Sequence, residues 1–150
     1  MVYADYWIAL QEGHLTYGTF EDYKSIINRH IKPSMKGLRM RDVLPDDITR
    51  MMKEVANFSK SVHDKTYMLA KQMFTNAYDN KLISENPCPK MHAGGRDPVE
   101  RQALTNEQMT TLIEAVKGTR AYVFCMIGLY SGLRREEILG LKWDCVRLTG

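Results

Sequence analysis

Cysteine is scarce in this sequence, and its few copies are poorly placed for pairing or for metal binding. The 150 residues include three cysteines, Cys88, Cys125 and Cys145, and no two of them have the CxxC spacing. His92 follows Cys88 closely, but prolines flank the cysteine, and no second pair of ligands completes the set that a structural zinc needs. We therefore predict no metal site, and a reducing, cytoplasmic setting.

Long hydrophobic runs and a dominant sign of charge are also missing. The longest apolar run, Tyr122 to Tyr130, has nine residues, whereas a membrane span needs about 20. The N-terminus lacks the basic and apolar regions of a signal peptide. The net charge is only +3, which permits nucleic-acid binding without requiring it, because DNA binders can concentrate their charge on one face. We therefore expect a globular protein with no membrane partner.

Strand patterns are almost absent before the last few residues, whereas helix patterns are frequent. A first helix is predicted from an apolar stripe that ends before Gly13. A second helix is expected to begin at Thr19, with Asp22 completing a capping box, and to stop at Pro33. The stripe of the first helix is made of large apolar and aromatic residues: Tyr3, Tyr6, Trp7 and Leu10.

Two more helices are predicted before residue 90. Asp46, which follows a proline, is expected to cap the third helix. Ser61 and Asp64 form a second capping box for the fourth helix, which Asn80 can end in a left-handed conformation. The fourth helix has an apolar stripe at helical spacing: Tyr67, Ala70, Phe74, Ala77 and Tyr78. Four amphipathic helices in so short a stretch predict a mainly all-α fold, with a small helical bundle first.

Composition changes after the predicted bundle. Residues 86–101 are rich in proline and glycine and poor in apolar side chains, which indicates a linker. Thr105 and Gln108 then form a capping box, and Ala121 to Tyr130 is apolar nearly all round, which predicts a buried helix. Residues 146–148 could begin a strand. We therefore predict a helical domain over 1–90, a linker over 91–102, and the incomplete beginning of a second domain over 103–150.

A pair of charged residues follows the apolar helix. Gly132 can adopt a positive φ, and the next helix is expected to open at Arg134. A guanidinium at a helix start donates two parallel hydrogen bonds, which match phosphate oxygens. Glu137 is placed one turn later and can orient Arg134. The alternative is that Arg134 is an ordinary solvated charge at a loop.

The same segment resembles the first catalytic box of the tyrosine recombinase (phage integrase) family. The resemblance rests on Ser131-Gly132-Leu133-Arg134, followed by Glu137, Leu141 and Trp143. Upstream, residues 104–108 are similar to the family's entry into its catalytic domain. Residues 17–23 and 30–33 are similar to the second helix of its core-binding domain. Three short segments are similar to the end of that domain: Ala77-Tyr78, Lys81-Leu82-Ile83 and Asn86-Pro87. The resemblance implies a four-helix, SAM-like core-binding domain followed by the truncated helical start of the catalytic domain.

The resemblance also implies a chemistry. Arg134 would stabilise charge on the scissile phosphate during attack by a tyrosine, and Glu137 would support it. No metal or nucleotide cofactor is implied. Ser131 replaces the usual threonine, and Cys145 stands where an aspartate is common. The family's lysine, its His-x-x-Arg box and its nucleophilic tyrosine would follow beyond residue 150, so we expect this chain alone to be catalytically incompetent.

The expected partner is double-stranded DNA, with other recombinase protomers, in a tetramer on DNA. A cytoplasmic recombinase of a mobile genetic element, active in DNA integration or recombination, is the family expectation. The alternatives are a non-catalytic DNA-binding or regulatory module derived from an integrase and, for the candidate contact residues, an ordinary solvated face. The candidate DNA contacts lie at predicted helix starts, on the fourth helix and in the linker: His14, Thr16, Tyr17, Thr19, Lys60, Ser61, His63, Lys65, Thr66, Gln72, Asn76, Arg96 and Arg101.

Overall fold

The computed structural model describes residues 2–89, 94–100 and 102–147. In these residues every regular element is helical, which confirms the predicted mainly α-helical fold. The chain divides into two compact units, Met1–Val99 and Glu100–Gly150. Among the described residues, no helix is long and apolar enough to cross a membrane.

The first unit is built around one long helix, α5, whose inward face is apolar. Phe74 and Leu69 are fully buried, and Trp7 and Met51 reach them from other helices in the same core. The helices of this unit are α1 (Val2–Leu10), α2 (Tyr17–Ile26), a π-helical turn (Ile27–Ile31), α3 (Lys32–Ser34), a 3-10 turn (Met40–Asp42), α4 (Pro45–Glu54) and α5 (Lys60–Asp79).

The inward face of α1 differs from the predicted stripe. Trp7 is buried as expected, but Tyr6 and Leu10 are exposed, and Ala4 and Ile8 are buried in their place. A short helix that touches its neighbours along one narrow line buries the residues three and four apart on that line. The large aromatic side chains of α1 therefore did not predict which residues of the helix face the core.

The prediction that the second helix stops at Pro33 is wrong. The chain continues through a π-helical turn, Ile27–Ile31, into α3, where Pro33 lies in the first turn. In the π turn the N–H of Lys32 donates to the carbonyl of Ile27, one residue further back than in an α-helix. Proline has no backbone N–H, and in the first turn of a helix none is needed. The helical path can therefore continue through Pro33 after the wider π turn.

Several predicted caps are displaced by one to three residues. Thr16, not Thr19, is the N-cap of α2. Ser59, not Ser61, caps α5, and its Oγ accepts a hydrogen bond from the N–H of Val62 at 3.4 Å. Asn80 follows α5 without a left-handed conformation, which Lys81 adopts instead at φ 57°. At the two helix starts, a serine or threonine two or three residues earlier takes the predicted place, because several residues that can cap lie close together.

The helices of the second unit are α6 (Asn106–Val116), α7 (Tyr122–Ser131), α8 (Arg135–Leu139) and a 3-10 turn (Trp143–Cys145). The capping box of Thr105 and Gln108 is confirmed, with mutual hydrogen bonds of 3.0 and 3.2 Å. Gly132 ends α7 with φ 66°, as predicted. The expected burial of α7 is wrong, because none of its residues is fully buried. Residues 146 and 147 form no strand, and Leu148 lies outside the described residues.

Candidate functional site

The outward face of α5 carries the main group of predicted DNA contacts. Lys60, Ser61 and Gln72 are exposed, and the Lys65 side chain is 43% exposed. The ammonium of Lys65 is 2.5 Å from a carboxylate oxygen of Asp22, so this lysine joins α5 to α2. Since the apolar face of α5 points into the core, these polar side chains lie on the side open to solvent.

Three predicted contacts on α5 have other surroundings. Thr66 is fully buried, and its hydroxyl donates to the carbonyl of Val62 at 2.7 Å. His63 is 3% exposed, with Nδ1 at 3.0 Å from Asp64 Oδ1. Asn76 is half-buried and accepts a hydrogen bond from the hydroxyl of Tyr3 at 2.7 Å. A buried side chain offers no surface to a DNA molecule, so His63 and Thr66 do not belong to the exposed face.

The start of α2 brings together the predicted contacts of the second group. Tyr17 is 82% exposed, and His14 is exposed in the turn before the helix. The hydroxyls of Thr16 and Thr19 lie 2.9 Å apart. A hydroxyl pair of this kind keeps one free hydrogen, which can be donated to a phosphate oxygen. This group therefore offers neutral donors, whereas α5 adds the positive charge.

One further cation on α5 was missed from the sequence. Lys71 is exposed, and its charge acts to lower the pKa of the Cys88 thiol, which places it near the segment that follows the helix. Its position beside Gln72, off the apolar stripe, was the available signal. Arg96 is exposed, and its backbone lies against the start of α5, whereas Arg101 lies outside the described residues.

In the second unit, Arg134 and Glu137 meet as the sequence suggested. Arg134 is the N-cap of α8, and its N–H donates to Glu137 Oε2 at 2.7 Å. The guanidinium lies 3.7 Å from Glu137 Oε1, while its side chain remains 88% exposed. Glu137 thus holds both the backbone and the side chain of Arg134 without covering it. The neighbouring Arg135 pairs with Glu136 instead.

Among the described residues, no group of histidine, cysteine, aspartate or glutamate side chains is arranged to hold a metal ion. The three cysteines are free thiols. Burial raises the pKa of the Cys88 thiol to about 12, with the charge of Lys71 opposing the effect. A thiol with so high a pKa is a poor source of the thiolate that metals bind.

Known proteins resemble the chain over most of its length. Residues 2–56 match the family described as phage integrase, N-terminal SAM-like domain. An integrase of Streptomyces ambofaciens is 24% identical over 149 residues, which cover 96% of this chain and 38% of that protein. A tyrosine recombinase XerC-like protein of Caldanaerobacter subterraneus subsp. tengcongensis is 28% identical over 136 residues, which cover 83% and 34%.

The chain thus spans between a third and two fifths of the length of these relatives. No solved structure matches it significantly. The Streptomyces relative covers 96% of the chain and therefore extends from the first unit into the second. Over most of its length the chain is similar to members of the tyrosine recombinase (phage integrase) family, and residues 2–56 match that family's N-terminal SAM-like domain.

Proposed function

We propose that this chain binds double-stranded DNA as part of a site-specific recombinase. The observation that carries the proposal is the outward face of α5, where Lys60, Ser61, Lys65 and Gln72 are open to solvent on the side opposite the apolar core. The middle of α2 is joined to this face by the Lys65–Asp22 ion pair. Lysine, hydroxyl and amide side chains are the groups that contact the DNA backbone in known complexes.

Alanine variants on the α5 face test this interface. Lys60→Ala should weaken binding to a duplex of about 30 base pairs several-fold, and Gln72→Ala should weaken it less, because only the lysine neutralises a phosphate. Loss of one phosphate contact should also reduce the slope of log affinity against log salt by about one. Lys53→Ala, an exposed lysine on α4, is the control. Equal effects of Lys53→Ala and Lys60→Ala would refute the assigned face.

We propose further that Arg134 acts in the joining reaction of the complete recombinase. A tyrosine hydroxyl would attack the scissile phosphate, forming a covalent phosphotyrosine and releasing a DNA hydroxyl, and the guanidinium would stabilise the charge that develops on the phosphate oxygens. No external energy source is needed, because the phosphodiester energy is kept in the phosphotyrosine. The exposure of Arg134 and its hold by Glu137 support this role. Other protomers would assemble on the same DNA.

The neighbouring arginine provides a matched control for this role. In a recombinase that contains these residues, Arg134→Ala should lower covalent joining by roughly a hundredfold or more while DNA binding is largely retained. Arg135→Ala removes the same side chain one residue later and should leave joining nearly unchanged, because Arg135 pairs with Glu136. A suicide-substrate assay measures both. Normal covalent complex from Arg134→Ala would refute the catalytic assignment.

A further inference from the structure

The first half of the predicted linker is attached to the start of α5. The N–H of Arg96 donates to the carbonyl of Phe58 at 2.8 Å, and the N–H of Lys60 donates to the carbonyl of Arg96 at 2.9 Å. These bonds make an isolated parallel bridge between Arg96 and Ser59. Asp97 adds an ion pair to Lys60 at 3.8 Å. We call residues 94–97, in this arrangement, the clasp.

The clasp depends on two glycines that approach α5 too closely for any side chain. A Cβ on Gly94 would lie 2.5 Å from Nε2 of His63, which is buried and cannot move aside freely. Gly95 has φ 81°, and its Cβ would lie 2.7 Å from the Cα of Lys60, a backbone atom. The first glycine is required by space, and the second by both space and backbone conformation.

A clasped arginine differs physically from an arginine on a free linker. A free linker loses backbone entropy when its side chain is fixed on DNA, and this loss weakens binding. The clasp fixes the backbone of Arg96 in advance, opposite Ser59 and next to Lys60 in the bridge. The exposed Arg96 and Lys60 side chains are then presented by a single rigid segment.

We propose that Gly94 and Gly95 are positioning residues, which act through the clasp to hold Arg96 beside Lys60 on the DNA backbone. The inference rests on the proposed DNA binding. It adds that part of the region taken as linker belongs to the DNA-binding surface of the first unit. The two glycines contribute to affinity although they contact no DNA themselves.

The first position of α5 allows the clasp to be opened with little disturbance to the helix. Proline is well accepted at the first helical residue, where no N–H is needed for the helix. The preceding residue, Ser59, already has φ −62° and ψ 150°, which suits a residue before proline. Lys60→Pro removes the N–H that donates to Arg96, whereas Lys60→Ala removes the same charge and keeps that N–H. The two variants therefore differ chiefly in the clasp.

The test is the effect of Arg96→Ala in these two backgrounds, measured with a duplex of about 30 base pairs. With Lys60→Ala, we expect Arg96→Ala to lower affinity several-fold and to reduce the salt slope by about one. With Lys60→Pro, we expect Arg96→Ala to have less than half of that effect, because Arg96 is no longer placed. Equal effects in the two backgrounds, or no effect in either, would overturn the inference.

Hydrogen exchange separates the clasp from the DNA-binding proposal. The Arg96 amide should exchange at least about tenfold more slowly than in an unstructured peptide, and Gly95→Ala should abolish that protection. Gly37→Ala is the matched control, because Gly37 has φ 83° but open space around it. An unprotected Arg96 amide in the unchanged chain would overturn the clasp. A protected amide in a chain that binds no duplex would overturn the proposed function, and with it the role of the clasp, while leaving the clasp in place.

Discussion

Single residues in this chain owe their properties to burial more than to their neighbours in sequence. His63 and Thr66 were assigned to DNA from their position near a predicted helix start. His63 lies seven residues and Thr66 four residues before Ala70 on the same helix, and both therefore share its inward face. The periodicity of α5 contained this result, because the stripe through Tyr67, Ala70 and Phe74 passes through both positions. Their polar side chains alone led to the wrong prediction that they are exposed.

Burial also makes the cysteines differ in the reactivity of their thiols. The pKa of the Cys88 thiol is about 12, raised by burial, whereas Cys145 is exposed. At pH about 8 the exposed thiol should react with iodoacetamide at least roughly a hundredfold faster than Cys88, because the thiolate is the nucleophile. Peptide mapping after timed labelling measures the two rates.

Unfolding in urea supplies the control for this comparison. Once the chain is unfolded, Cys88 and Cys145 should react at similar rates, since burial is lost. Similar rates in the folded chain would contradict the packing of Cys88 against the core of the first unit.

At the scale of elements, helix identity was predictable and helix ends were not. The core-facing stripe of α5 is strong because this long helix repeats its pattern over several turns. The cap of α4 was assigned to Asp46, but Asp47 accepts the hydrogen bond from the N–H of Leu44, at 3.0 Å. The clasp was also invisible in sequence, because Gly94 and Gly95 have the composition of a free linker and their partners lie in α5.

The hydrogen bond that caps α4 should contribute measurably to the stability of the first unit. The hydrogen bond from Leu44 lowers the pKa of the Asp47 carboxyl, and Arg50 lowers it further against the opposing effect of burial. Asp47→Ala should destabilise the first unit by about 1 kcal/mol at neutral pH. Asp46→Ala removes an equal charge from the same turn and should have a smaller effect. Urea unfolding in a Trp143→Phe background, where Trp7 reports on the first unit, measures both.

The pH dependence of the same effect has a definite sign. Because the folded state lowers the pKa of Asp47, its stabilisation is fully present above the ordinary value of 3.8 and is lost as pH falls through the lower folded value. The difference between Asp47→Ala and the unchanged chain should therefore shrink below about pH 3.8. A difference that stays constant down to about pH 2 would contradict the role of the carboxylate.

At the scale of the whole molecule, the sequence predicted the structure of the first unit more completely than that of the second. The apolar core of the first unit follows from its helical patterns, and the match to the family model covers residues 2–56. In the second unit, the motif at Arg134 was readable because Gly132 and Glu137 set local geometry, which depends on few distant contacts. The burial of α7 was overestimated, because an apolar composition does not state which neighbours are available to cover it. Val123 on α7 is 64% exposed.

The proposed DNA binding requires the first unit to contact several backbone phosphates. Its most direct test is a fluorescence-anisotropy titration of the unchanged chain with duplex DNA at two salt concentrations. Each phosphate contact releases counterions, so affinity should fall by roughly a hundredfold or more between about 50 and 200 mM salt. Absence of binding at the lower salt concentration, or an affinity that hardly changes between the two concentrations, would contradict the proposed DNA binding.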